Sequence, residues 1–129
     1  MHVKNASLAN ALSCAKGSSV YEAAKSLKKA RERHILVVDK HKPIGIISAV
    51  DIVSAVVAEG KDAKTVKVED IMIAPVCSVN ADDEIISAYF TMIGKNLFSC
   101  PVIEKDKLIG VLTLQEALKY IKEAHNARS

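Results

Sequence analysis

The segments His34-Ile-Leu-Val-Val-Asp-Lys-His-Lys-Pro-Ile-Gly-Ile-Ile-Ser-Ala-Val-Asp51 and Ser99-Cys-Pro-Val-Ile-Glu-Lys-Asp-Lys-Leu-Ile-Gly-Val-Leu-Thr-Leu-Gln-Glu116 are two versions of one pattern. At a constant offset of 65 positions, with no gap, Val37/Val102, Lys40/Lys105, Lys42/Lys107, Ile44/Ile109 and Gly45/Gly110 are identical. Val38/Ile103, Asp39/Glu104, Ile46/Val111, Ile47/Leu112, Ser48/Thr113 and Asp51/Glu116 are conservative pairs. Upstream, the same offset lays Val20-Tyr-Glu-Ala23 over Ile85-Ile-Ser-Ala88. A repeat that keeps one register this far decides the architecture before any single element is considered. The chain carries two copies of one motif.

Each copy reads as strand, helix, strand, strand, helix. The spacing of Val20, Ala23, Ala24, Leu27 and Ala30 predicts a helix over 19–33, and Ile85, Ile86, Ala88, Tyr89, Met92 and Ile93 predict its partner over 83–95. Short strands precede them, Leu12–Cys14 and Val76–Val79. The apolar runs Ile35–Asp39 and Ile44–Ile47 predict a hairpin across the charged turn Lys40–Pro43; Cys100–Glu104 and Leu108–Leu112 repeat it across Lys105–Lys107. The last helices run from Ser48 to near Gly60 and from Thr113 to about His125, and residues 61–69 read as a polar connector. The expected fold class is α/β of the α+β type: two tandem β-α-β-β-α motifs, dividing as 1–62 and 63–129.

Composition fits this plan. Half of the 129 residues are hydrophobic, only 4% are aromatic and Trp is absent, so the core is built from Val, Ile, Leu and Ala. Such a chain is not disordered. A motif of half this length is marginal alone, which favours two sharing one core. No apolar stretch is long enough to span a membrane, and the N-terminus lacks the pattern of a secretory signal, so a cytoplasmic location is expected. A net charge of +3 is too weakly basic for a dedicated nucleic-acid binder. Lys25, Lys28, Lys29, Arg31 and Arg33 read as a solvated helix face, and the scarcity of stacking aromatics argues further against nucleic acid. Cys14, Cys77 and Cys100 are widely spaced and form no C-x-x-C pair; they read as small buried hydrophobes, with no metal site.

The chemically suggestive point is the strand-to-helix junction Gly45-Ile-Ile-Ser48-Ala-Val-Asp51-Ile52. A helix N-terminus favours anions. A hydroxyl at its first position can donate to a phosphate, and a carboxylate one turn on can accept from both hydroxyls of a ribose. The same Ser-x-x-Asp, and Thr113-x-x-Glu116 in the second copy, also read as capping boxes that merely close a helix. Both readings stand at this point.

The duplicated set closely resembles the CBS domain (cystathionine beta-synthase motif), and two in tandem resemble the Bateman module. The matching residues are Leu36-Val-Val-Asp39 with Gly45-Ile-Ile-Ser48-Ala-Val-Asp51-Ile52, and Pro101-Val-Ile-Glu104 with Gly110-Val-Leu-Thr113-Leu-Gln-Glu116-Ala117. The stretch Val68-Glu-Asp-Ile-Met72-Ile-Ala-Pro75-Val76 resembles the family's linker into its first strand. The resemblance implies packed sheets with helices outside, pseudo-twofold symmetry and two clefts. In the family such clefts take AMP, ADP, ATP, S-adenosylmethionine or its thioether product, binding regulates a fused or separate partner, and modules pair as homodimers through their helices.

Carried over residue by residue, the resemblance assigns Ser48 to phosphate or ribose, Asp51 to the ribose diol and Val50 to the space beside them. Met72, Ile73 and Cys77 would wall the base, Leu97 and Phe98 would add backbone groups and apolar surface, and Arg33 and His34 would contact phosphate. For Arg33 and His34 a helix C-terminus that favours cations is an equal reading; Met72, Cys77 and Phe98 read equally as core. The second cleft would use Thr113 and Glu116 with Leu12 and Glu32. Its longer carboxylate and its Phe98-Ser99 in place of Arg33-His34 imply an empty, weaker or differently occupied site.

Three function classes follow. The first is a non-enzymatic sensor of an adenosine-containing ligand, AMP foremost, acting on a separate regulated protein. The second is a ligand-independent interaction or oligomerisation module, supported by Ile52, Val53, Ala55, Val56 and Val57, which are apolar over more than one helix face. An enzyme is disfavoured, because no nucleophile elbow, phosphate-binding loop or metal cluster is present, and no catalytic residue is assigned.

Overall fold

The computed structural model describes residues 1–128. The chain forms two compact units, Ala11–Val76 and Met1–Asn10 with Cys77–Ser129. These are not the sequential halves 1–62 and 63–129. Residues 1–10 pack with the second copy, and residues 63–76 pack with the first.

In the unit Ala11–Val76, strand β1 (Ser13–Ala15) precedes helix α1 (Val20–Ala30), which leads into the hairpin β2 (His34–Asp39) and β3 (Lys42–Ser48). Helix α2 (Ala49–Ile52) continues as a π-helical turn (Val53–Val57), and one further turn, α3 (Val68–Ile71), completes the unit. The sheet runs β1-β2-β3, with β1 parallel and β3 antiparallel to β2. In the other unit a 3-10 turn (Val3–Asn5) accompanies β4 (Val79–Asn80), α4 (Ile85–Gly94), β5 (Ser99–Glu104), β6 (Lys107–Thr113) and α5 (Leu114–Arg128). Its sheet, β4-β5-β6, has the same pairing.

The repeat extends to backbone detail. Arg31 and Asn96, one offset apart, both take the left-handed conformation that ends α1 and α4, at φ 56° and 55°. The break stops α1 at Ala30, short of the Arg33 that periodicity predicts. Both hairpins close through two residues with positive φ, Lys40-His41 and Lys105-Asp106, the backbone of the tight primed turn. The first turn is therefore shorter than the four residues expected, and Lys42 and Pro43 belong to β3. Pro43 is tolerated because β3 is an edge strand, where a missing N–H leaves no ladder bond unmade.

The polar connector is not loose. Val20 N–H donates to Val66 O at 2.8 Å, Tyr21 N–H to Ala63 O at 3.0 Å and Val68 N–H to Ser18 O at 2.9 Å. One offset earlier, Ile85 N–H donates to Met1 O and Val3 N–H to Asp83 O, each at 2.9 Å. Val68 and Val3 are equivalent residues, and both are fully buried. The segment leading into each copy thus seals the helix start of the other copy. Val68 joins Val20, Ala23, Leu27, Ile35, Val37 and Ile47 in one core, and Val3 joins Ile85, Ala88, Met92, Val102 and Leu112 in the second.

The same segments then cross the third strands. Ile46 and Ile73 exchange backbone hydrogen bonds of 3.0 and 2.9 Å, and Val111 and Ala9 do so at 2.8 and 2.9 Å. Each crossing passes over a buried glycine. A Cβ at Gly45 would lie 2.8 Å from Met72 Cγ, and one at Gly110 would lie 2.9 Å from Leu8 Cβ and 3.2 Å from Ala9 O. These two glycines are one of the repeat's identical pairs, and only a missing side chain admits the segment.

Two stability changes follow. Val68→Ala and Val3→Ala each should cost about 2 kcal/mol in urea denaturation, from lost burial plus a residual void, whereas the exposed Val57→Ala should stay within about 0.5 kcal/mol. Gly45→Val should cost roughly 1–3 kcal/mol by overpacking against Met72.

Candidate functional site

The junction between β3 and α2 is built by pairing on both sides of it. His34 is the register partner of Ser48 across the β2–β3 ladder. Ala49 N–H, the first of the helix, donates to Arg33 O at 2.9 Å. The Ile46–Ile73 exchange fixes the segment carrying Met72 beside the same strand end. Arg33, His34, Ser48, Val50, Asp51, Met72 and Ile73 all lie in the one unit, around this junction. Arg33 and His34 are exposed, and Ser48, Asp51 and Met72 are half-buried. Val50 and Ile73 are 71% and 59% exposed, unusually open for aliphatic side chains.

Ser48 and Asp51 form a complete capping box. Asp51 N–H donates to Ser48 Oγ at 3.0 Å, and Ser48 N–H donates to Asp51 Oδ2 at 2.8 Å. The capping reading of the motif is therefore realised. It does not exhaust the groups, because Ser48 Oγ acts in the box only as an acceptor and keeps its own proton to donate. The box engages Oδ2 of Asp51 and makes no use of Oδ1. One free donor and one free acceptor oxygen are held on a fixed turn.

The second junction differs. Glu116 N–H donates to Thr113 Oγ1 at 3.1 Å, but the Glu116 carboxylate does not return to the Thr113 amide. Its Oε1 is buried with no hydrogen-bond partner among the described residues. The extra methylene carries the carboxylate past the amide that Asp51 reaches. Thr113 and Glu116 instead line a groove of about 540 Å³ along α5, together with Lys119, Lys122 and Glu123. The two lysines were not singled out in the sequence, although spacings of three from Glu116 to Lys119 to Lys122 place them on one helical side.

The remaining predicted residues are divided between the two units. Leu12 O accepts from Leu36 N–H at 2.9 Å, and Leu12 packs on the first core. Glu32 is exposed and borders a shallow pocket of about 280 Å³ with Ala24, Leu27, Lys28, Ala49 and Ile52. Cys77 and Leu97 pack on the core of the other unit. Phe98 is 83% exposed, and its carbonyl accepts from Leu114 N–H at 2.8 Å, repeating the Arg33–Ala49 bond one offset on. No group of three or more His, Cys, Asp or Glu suited to a metal ion occurs among the described residues.

Comparison with known proteins meets this geometry from outside. The sequence profile of the CBS domain matches the chain twice, over residues 3–58 and 68–123. An uncharacterised protein of Methanopyrus kandleri is 37% identical over 108 residues, covering 80% of this chain and 55% of that one. The chain spans about half the length of the curated relatives it matches. Among solved structures, the CBS domain pair of protein MJ0100, in complex with 5′-methylthioadenosine and S-adenosyl-L-methionine, superposes with a TM-score of 0.73 at 25% identity, covering 96% of this chain and 98% of the other. A CBS domain protein from Pyrobaculum aerophilum, complexed with AMP, gives a TM-score of 0.75 at 20% identity, covering 95% and 99%. With the profile matching both copies of the repeat, the chain belongs to the CBS domain family and carries two such domains in tandem.

Proposed function

We propose that this protein is a regulatory module, not a catalyst, that binds an adenosine-containing ligand at the Ser48–Asp51 junction. The observation that carries the reading is the capping box itself. It fixes the Ser48 hydroxyl and the Asp51 carboxylate with a donor and an acceptor oxygen unspent, so a ligand need not disturb the fold to be held. Asp51 Oδ1 would accept from the ribose hydroxyls, and Ser48 would donate to phosphate or ribose. Arg33 and His34 stand beside this turn and suit a phosphate, which makes AMP the ligand to test first. A methylthioadenosine or S-adenosylmethionine ligand, as in the MJ0100 domain pair, would use the ribose contacts without the phosphate. Exposed Val50 and Ile73 give a base its apolar contacts. Thr113 and Glu116 form a second, weaker site, or one for a different ligand, since no closed box orients the carboxylate there.

A thermal-shift panel of AMP, ADP, ATP, S-adenosylmethionine and methylthioadenosine tests the reading. At a hundredfold excess over Kd, a binding ligand should stabilise the protein by about 2.7 kcal/mol. Asp51→Ala and Ser48→Ala should each lower the baseline by about 1 kcal/mol through the lost cap and also erase the ligand-dependent shift. Thr113→Ala should leave that shift intact. A wild-type shift that survives unchanged in Asp51→Ala would overturn the assignment.

A second reading, association through the helices, rests on two apolar stripes. Val53 and Val57 lie along the π-helical continuation of α2, and Ile86, Phe90 and Ile93 lie along α4; all five are exposed. Spacings of three and four place each set on one helix side. We propose that these stripes pair copies of the chain as a homodimer. Sedimentation should show a dimer at micromolar concentration, and Phe90→Lys should shift it toward monomer without loss of helical signal. A wild-type protein that remains strictly monomeric would contradict the pairing.

A further inference from the structure

Cys77 and Cys100 are 23 residues apart in sequence, and the fold makes them neighbours within one unit. Strands β4 and β5 are parallel, with Val79 opposite Val102 and Asn80 opposite Ile103. Cys77 and Cys100 each stand two residues ahead of the Val79–Val102 pair, and a disulfide requires a Cα separation of roughly 4.4–6.8 Å, the range that neighbouring strands span. Cys100 Sγ–H donates to Cys77 O at 3.2 Å.

The two thiols stand in different surroundings. Cys100 is fully buried, and burial pushes its thiol up to about 12, helped by the charge of Cys77 and by a hydrogen-bond interaction with the Cys77 side chain that favours the protonated Cys100. The Cys100 contact to the Cys77 carbonyl places the two residues side by side. Cys77 is half-buried, and Lys95 Nζ donates to its Sγ at 3.5 Å. The thiolate is the form that attacks an oxidant, and Cys77 is the more accessible of the two sulfurs. Cys14, the third cysteine, is raised by burial and by Glu22, and it stands in the other unit.

We propose that Cys77, Lys95 and Cys100 form a redox modification site at which a hydroperoxide converts the two thiols into an intrachain disulfide. The Cys77 thiolate attacks the peroxide oxygen; an S–O bond forms, the O–O bond breaks, and the leaving alkoxide departs as alcohol with the proton shed by the thiol. Cys100 sulfur then attacks Cys77 sulfur. The S–S bond forms, the S–O bond breaks, and hydroxide leaves with the Cys100 proton as water. Two thiols lose two electrons, and the peroxide is reduced to alcohol and water. The bond would tie the chain to β5 at Cys77, the residue where one compact unit gives way to the next. This inference does not depend on the nucleotide reading, whose proposed contacts (Ser48, Asp51, Arg33, His34, Val50 and Ile73) use none of its three residues.

Trypsin separates the sulfurs, because it cuts at Lys67, Lys95 and Lys105 and releases peptides 68–95 and 96–105. The folded full chain, treated with hydrogen peroxide, alkylated and digested, should yield these two peptides covalently joined, lighter by two hydrogens and separable by dithiothreitol. Cys14 should remain alkylatable. Lys95→Met should slow the loss of the Cys77 thiol several-fold. Cys77→Ser, which leaves the fully buried Cys100 in place, should leave Cys100 reduced under the same treatment. Wild-type peptides that stay separate, a disulfide between molecules through Cys77, or Cys100 oxidised at an unchanged rate in Cys77→Ser would each overturn the proposal.

Discussion

The structure depends on one reciprocal contact, the burial of Val68 against α1 and of Val3 against α4. A β-α-β-β-α motif of this size has a helix start with unpaired amides and a core open at one end. The segment arriving from the other copy closes both. Its carbonyls accept from the first helical amides, and its valine fills the core end. The same segment then crosses the third strand over a glycine, at Gly45 and at Gly110. Neither copy completes its own core, which is the physical reason the compact units differ from the sequential halves.

That exchange also assembles the candidate site. Met72 and Ile73 belong in sequence to the approach of the second copy, yet they arrive beside Ser48 and Asp51 because the Ile46–Ile73 bonds bring them there. The turn they flank does two things at once. As a capping box it satisfies two amides that the helix start would otherwise leave unpaired. It also leaves an oxygen and a proton that capping does not use, so the capping box is compatible with the proposed ligand reading of Ser-x-x-Asp. In the second copy the extra methylene of Glu116 undoes the box and leaves a buried oxygen without a partner, so two junctions of similar sequence differ in chemistry.

Much of the fold was legible in the residues. The offset of 65 located both motifs, and helical spacing found the buried faces of α1 and α4, including Val20, Ala23, Leu27, Ile85, Ala88 and Met92. Where periodicity overran, a local backbone feature had intervened: the left-handed Arg31 ended α1 early, and two positive-φ residues tightened each hairpin. No glycine or proline marks those points, so composition gave no signal. Residues 61–69 looked like a linker because they are polar. Their side chains are mostly exposed, and it is their carbonyls, at Ala63 and Val66, that hold the helix start.

The sequence by itself determined the duplication, the strand and helix order, and the Ser48–Asp51 and Thr113–Glu116 pairs, because period and spacing are properties of a linear chain. Tertiary structure alone decided which segment completes which core, since Val3 and Val68 look like ordinary valines until their partners are known. It alone showed that Asp51 closes a box and Glu116 does not, a matter of reach and not of residue class. It also brought Cys77 to Cys100 and Lys95, because a parallel strand pair aligns residues whose separation along the chain carries no hint of contact.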